Sequence, residues 1–111
     1  AWSPNGNYLA SGSADGTTQV WTAYAGQIIR VYHNQSGSIT SVAWSPDGAY
    51  LASGSTDRTV HVWSPFTGAT IEVYHGHIDA VNAVAWSPKT NRIVSGSDDH
   101  TARVWQVKGI R

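Results

Sequence analysis

Cysteine does not occur in this sequence, which excludes a disulfide framework, a thiolate zinc site and a cysteine nucleophile and leaves the redox compartment open. Charge is scarce too. Only 13% of the 111 residues are Asp, Glu, Lys or Arg, against roughly a quarter in an average soluble domain. Since 41% are hydrophobic, the composition is that of a folded chain rather than a disordered one. Neither sign of charge prevails. Seven basic and seven acidic residues give zero net charge, so the electrostatic footprint of a nucleic-acid binder, or of a protein held on an anionic membrane, is missing. No apolar run approaches the ~20 residues of a membrane helix, and the opening AWSPNG has no basic stretch leading into an apolar core as a leader peptide would. The expected partners include no nucleic acid and no membrane, and the expected compartment is the cytoplasm.

Tryptophan, by contrast, is plentiful and regular. At a shift of 42 the six tryptophans fall into two columns, Trp2, Trp44 and Trp86 in one and Trp21, Trp63 and Trp105 in the other. Residues 1–42 and 43–84 agree at 21 of 42 positions, and 85–111 continue the pattern for 27 more. The repeat is therefore the unit to interpret, and its period points to a propeller, solenoid or array.

Within the second copy, SITSVAWS (38–45) is rich in β-branched and aromatic residues, and Pro46-Asp47-Gly48 follows as a turn with Pro at its second position and Gly free to take positive φ. AYLASGS (49–55), TVHVW (59–63) and TIEVYH (70–75) alternate with a period of two, separated by turns at 56–58 and 64–68. No window has helical periodicity. Four short strands per copy, joined by tight turns, predict an all-β chain of four-stranded antiparallel meanders. In the third copy Lys89-Thr90-Asn91 departs from the Pro-Asp-Gly turn, so that hairpin is expected to be longer or to take its positive φ at Asn91.

The run AWSPDGAYLASGSTDRTVHVW, with Gly76-His77 before the next copy, resembles the WD-repeat β-propeller family. Period alone also fits other propellers and a β-solenoid; the two Trp columns argue against them. The resemblance implies radial blades of four antiparallel strands with the first innermost. On that reading 1–42 is a blade with a truncated first strand, 43–84 a complete repeat, and 85–111 a blade without its outer strand, about two and two-thirds blades in all. The expectation is the last part of a longer propeller, with at least about three or four further blades elsewhere.

The family builds a hydrogen-bonded tetrad in each blade from a His, a Ser or Thr on the second strand, the Asp of the following turn and the Trp of the third strand. Carried over, these are His77, Ser95, Asp99 and Trp105 in copy three, with Ser97 on the same strand face as the alternative to Ser95. Copy two offers Ser53, Asp57 and Trp63, with Gln35 where His is expected, and copy one Ser11, Asp15 and Trp21. The Asp that usually follows the Trp is replaced by Thr22, Ser64 and Gln106.

Ser95, His77 and Asp99 also invite a hydrolase reading. It is set aside because the tetrad needs the same trio in every blade and no oxyanion hole is signalled. His75, His77 and Asp79, or Asp98, Asp99 and His100, are rejected as metal sets, since each repeats a structural position without ligand spacing. No metal, cofactor or catalytic residue is expected. Five of the seven basic residues, Lys89, Arg92, Arg103, Lys108 and Arg111, lie in the last 23 positions; a solvated face that guards a strand edge accounts for them.

Family partner contacts concentrate before the tetrad Asp and at two positions early in the innermost strand. These are Ala14 in copy one, Ser38, Thr40 and Thr56 in copy two, and Ala80, Asn82 and Asp98 in copy three. The resulting expectation is a non-catalytic scaffold whose top face binds a protein or peptide, with further blades or a second copy as additional partners. The alternatives are a structural or self-assembling repeat with no ligand, and an enzyme using a central channel, for which the innermost strands offer mainly Ser, Thr, Val, Ala and Asn.

Overall fold

The computed structural model describes residues 1–33, 35–89 and 91–107. Every regular element among them is a strand: β1 (Tyr8–Gly12), β2 (Thr18–Thr22), β3 (Ile28–Tyr32), β4 (Ile39–Trp44), β5 (Leu51–Ser55), β6 (Val60–Trp63), β7 (Thr70–Tyr74), β8 (Val81–Trp86), β9 (Arg92–Ser97) and β10 (Ala102–Gln106). They form three antiparallel sheets of order β1-β2-β3, β4-β5-β6-β7 and β8-β9-β10. Each is a blade, and the all-β architecture read from the sequence stands. Ahead of β1, Trp2 makes an isolated bridge to Leu9. The repeat boundaries at 42/43 and 84/85 cut β4 and β8, because a period fixes a spacing but not a phase.

Turn chemistry sets these hairpins. Between β4 and β5 the Ser45 hydroxyl donates to the Asp47 carboxylate at 2.7 Å and accepts from the Tyr50 amide at 3.0 Å, while Gly48 takes φ 75°. The Ser45 hydroxyl, followed by the Ala49 amide at 3.0 Å, holds the Asp47 carboxyl below its usual range. The Ser45 amide donates to Tyr50 O, and the same closure recurs as Ser3 N to Tyr8 O and Ser87 N to Arg92 O, all at 2.9 Å. Of the two alternatives expected for the Lys89 hairpin the longer loop is not found, since Ser87 closes on Arg92 at the same spacing as Ser3 on Tyr8. Its proposed positive φ at Asn91 turns on Thr90, which lies outside the described residues. The next turn is held left-handed in all three blades, by Gly16 (φ 87°), Arg58 (φ 77°) and His100 (φ 67°).

The core lies between blades rather than within one. Ala10, Val20 and Tyr32 of blade one pack with Trp44, Leu51 and Trp63 of blade two, and Ala52 and Val62 of blade two pack with Val81, Val84, Ile93 and Trp105 of blade three. Tyr32 stacks on Trp63 at 4.2 Å and 2°, and Tyr74 on Trp105 at 4.4 Å and 5°; such pairs contribute about 0.5–1.5 kcal/mol beyond their buried area. Polar links cross both seams. Arg30 donates to the Pro65 and Phe66 carbonyls at 3.2 and 3.1 Å, Thr40 Oγ1 donates to Val81 O at 2.5 Å, and the Val84 amide donates to Ser41 Oγ at 3.1 Å.

Candidate functional site

The most connected polar cluster lies at the start of blade three, where the loop before β8 meets the turn after β9. His77 Nδ1 lies 3.0 Å from Asp99 Oδ2, and Nε2 lies 2.7 Å from Ser95 Oγ. A carboxylate only accepts, so Nδ1 carries the proton and the Ser95 hydroxyl donates to Nε2. Asp99 Oδ2 also accepts from the Ile78 amide at 3.2 Å, and Oδ1 accepts from the Thr101 amide at 2.9 Å and from the Thr101 hydroxyl. The Thr101 hydroxyl, followed by the imidazole and the two amides, holds the Asp99 carboxyl well below the usual carboxylate range. Ser97 does not join this network: its hydroxyl donates to Asp79 O and accepts from the Asp99 amide, both at 3.1 Å.

The fourth member is placed differently from the sequence reading. Trp105 is buried against Tyr74, but its indole N–H has no hydrogen-bond partner, while the Ser95 hydroxyl is engaged with His77. In blade two the Trp bond is made. Trp63 Nε1 donates to Ser53 Oγ at 3.1 Å, Ser53 Oγ donates to Gln35 Oε1 at 2.5 Å, and Gln35 Nε2 donates to Ser53 O at 3.0 Å. Asp57 stays with its own turn and loop, accepting from the Thr59 amide at 3.0 Å and the Ser36 amide at 3.2 Å. In blade one Trp21 Nε1 donates to Ser11 Oγ at 3.1 Å, while Asp15 accepts from the Thr17 hydroxyl at 2.6 Å, which lowers its pKa.

This arrangement positions loops. Ser95 has no exposed surface, so its hydroxyl cannot meet a substrate. Among the described residues no group of three or more His, Asp or Glu side chains could hold a metal ion.

The carried-over contact positions fall into two clusters and one outlier. Ser38 joins blades one and two, its hydroxyl donating to Ala14 O at 3.2 Å and its amide to Thr56 Oγ1 at 2.9 Å. In blade three the Asp98 amide donates to Ala80 O at 3.0 Å, and Asn82 Nδ2 donates to Asp98 Oδ1 at 2.5 Å on the exposed edge. Thr40 is the outlier, its hydroxyl turned to Gly54 O and Val81 O. One exposed residue went unpredicted: Ile78, 79% exposed, sits beside this edge with its amide on Asp99. An apolar residue directly after Gly76-His77 was the signal available in the sequence.

The family model described as WD domain, G-beta repeat matches residues 1–22, 26–64 and 68–106. Among curated proteins, Protein tipD of Dictyostelium discoideum is 43% identical over 42 residues, covering 35% of this chain and 7% of the relative. The chain thus spans a small part of the length of that relative.

Proposed function

The chain belongs to the WD domain, G-beta repeat family, and on that premise we propose that it is a non-catalytic scaffold whose turn edge binds a basic group on a protein or peptide. WD repeats are in general protein-interaction scaffolds. The observation that carries the finer reading is the exposed Asn82–Asp98 pair, seated on a turn that His77 and Asp99 brace from beneath. Asp98 supplies charge, Asn82 a neutral donor and acceptor, and Ile78 an exposed apolar contact beside them. Ala14, Ser38, Thr40, Thr56 and Ala80 contribute shape rather than affinity, since none has the Trp, Tyr or Arg character of a binding hot spot. Full burial of Ser95 supports the absence of hydrolase chemistry.

Calorimetry and amide NMR with lysine- or arginine-bearing peptides, against matched acidic and neutral peptides, test this reading. Basic peptides should shift resonances at 78–82 and 97–100, and Asp98→Ala should weaken binding by about 0–1 kcal/mol and reduce its salt dependence. Equal response to all three peptide classes, or unchanged affinity and salt slope in Asp98→Ala, would remove this edge from the binding site. That outcome favours the second reading, a structural repeat without a ligand, which rests on the two side chains already satisfying one another.

A further inference from the structure

The turn before β1 and the turn before β5 differ by a single chemical group. Residues 3–6 read Ser-Pro-Asn-Gly, and residues 45–48 read Ser-Pro-Asp-Gly. Asn5 Oδ1 accepts from the Ser3 hydroxyl at 2.8 Å and from the Asn7 amide at 2.9 Å, where Asp47 Oδ1 accepts from the Ser45 hydroxyl at 2.7 Å and from the Ala49 amide at 3.0 Å. The Tyr8 and Tyr50 amides close on the two serine hydroxyls at 3.0 Å. The Gly6 and Gly48 amides donate to the serine carbonyls at 2.9 Å, at φ 74° and 75°. Neither of the two bonds to the Asn5 side chain uses Nδ2. The turn therefore does not distinguish the amide from the acid, and Asn5-Gly6 is the only Asn-Gly step in the sequence.

We propose that Asn5 is a site of spontaneous deamidation, gated by the opening of its turn, and that the aspartate it yields re-forms the turn blade two already has. The Gly6 amide nitrogen gives up its proton and attacks Asn5 Cγ; the new C–N bond closes a succinimide, and the side-chain nitrogen leaves as ammonia. Water then opens the ring. Cleavage between Asn5 Cγ and the Gly6 nitrogen gives aspartate, and cleavage between the Asn5 carbonyl carbon and that nitrogen gives isoaspartate, so the balance is amide plus water to acid plus ammonia. Glycine permits the attack because it puts no side chain beside the nucleophile, and at Gly6 nothing lies within 4 Å of where a Cβ would stand. Every other Asn in the sequence precedes a residue with a side chain. Asn5 and Gly6 are also exposed. Folding opposes the step, because the Gly6 N–H is held on Ser3 O and Asn5 Oδ1 is held by two donors. Local opening must release them before nitrogen and carbon meet. Reclosure then separates the products: aspartate keeps an oxygen for both donors, whereas isoaspartate inserts a methylene into the span that the 2.9 Å Ser3 N to Tyr8 O bond closes. The site uses no residue of the Asn82–Asp98 edge and does not depend on the peptide-binding reading.

Tandem mass spectrometry of the 111-residue chain, aged in heavy-oxygen water at mildly alkaline pH beside a denatured sample, tests the proposal. Heavy oxygen should enter at residue 5 ahead of every other Asn, and several-fold faster in the denatured sample than in the folded one. Ser3→Ala, which removes one donor from Oδ1, should speed the folded-state reaction about twofold to tenfold. The comparison of folded with denatured chain stands whether or not that variant folds. Asn5→Asp supplies the product directly, and its Tyr8 amide should keep the parent's protection from hydrogen exchange. Labelling spread evenly over the asparagines, equal rates in the folded and denatured samples, an unchanged rate in Ser3→Ala, or loss of Tyr8 protection in Asn5→Asp would each overturn the proposal.

Discussion

Blades two and three carry the same Ser, Asp and Trp columns, yet their polar centres are wired differently. Where Gln35 stands, Ser53 relays to both the amide and the Trp63 indole, and Asp57 serves only its own turn and loop. Where His77 stands, the imidazole joins Ser95 to Asp99, and the Trp105 indole is unpaired. Three shared side chains do not determine a network. The fourth differs in its bonds: Gln35 pairs with Ser53 alone, whereas His77 bridges Ser95 and Asp99, and in both blades the turn acid accepts from an inner-loop amide, that of Ser36 or Ile78.

Truncating the two serines should break this symmetry most strongly. Ser53→Ala leaves two buried partners unsatisfied and should destabilise the chain on the order of 3 kcal/mol, while Ser95→Ala deprives only His77 and should cost about 1–2 kcal/mol. Trp63→Phe should likewise cost more than Trp105→Phe, whose indole N–H has no bond to lose. His77→Gln sharpens the comparison. It should turn blade three into a copy of blade two and shift the Trp105 indole N–H resonance toward that of Trp63. Equal chemical-denaturation losses for the two serines, or an unmoved indole resonance, would mean that the wiring is the same in both blades.

Acidification should separate the blades in two steps. His61 of blade two accepts or donates at 2.9 Å to the Tyr32 hydroxyl within the first seam, and burial pushes its imidazole below the usual 6.5, an effect that Asp57 opposes and His75 reinforces. The unfolded chain then binds the proton first, so stability is full above pH 6.5 and declines as pH falls below it. Asp99 follows. Its depressed carboxyl contributes stability that is full above its usual 3.8 and is lost as pH falls below that value. Thermal melts of His61→Gln should lack the first decline and keep the second; a profile identical to the parent would remove His61 as its source.

The smallest effect is expected at the left-handed turn position. Arg58→Gly and His100→Gly should each stabilise by about 0.5–1 kcal/mol, since blade one has Gly16 there and a Cβ is penalised at positive φ. Destabilisation by His100→Gly would instead reveal a contact made by that side chain.

What the sequence made legible was local or periodic. Pro46-Asp47-Gly48 and Thr56-Asp57-Arg58 announce turns through backbone preference, and the alternation in 59–63 and 70–75 places β6 and β7 to within a residue. What escaped depended on distance in space. Whether Trp105 bonds Ser95 is decided by the packing of groups ten residues apart, which an identical column cannot encode. The burial of Val62 and the exposure of Val104 are equally invisible in the residue itself, since a neighbouring sheet creates the difference.

The Val84 amide gives the second seam its own clock. β8 is the edge strand of its sheet, and this N–H is protected not by a ladder partner but by the Ser41 hydroxyl of the neighbouring blade. Its exchange with deuterium should therefore track the separation of two blades rather than the melting of either sheet. An amide exchanging faster than its β9 neighbours would time undocking events in which all three sheets stay intact.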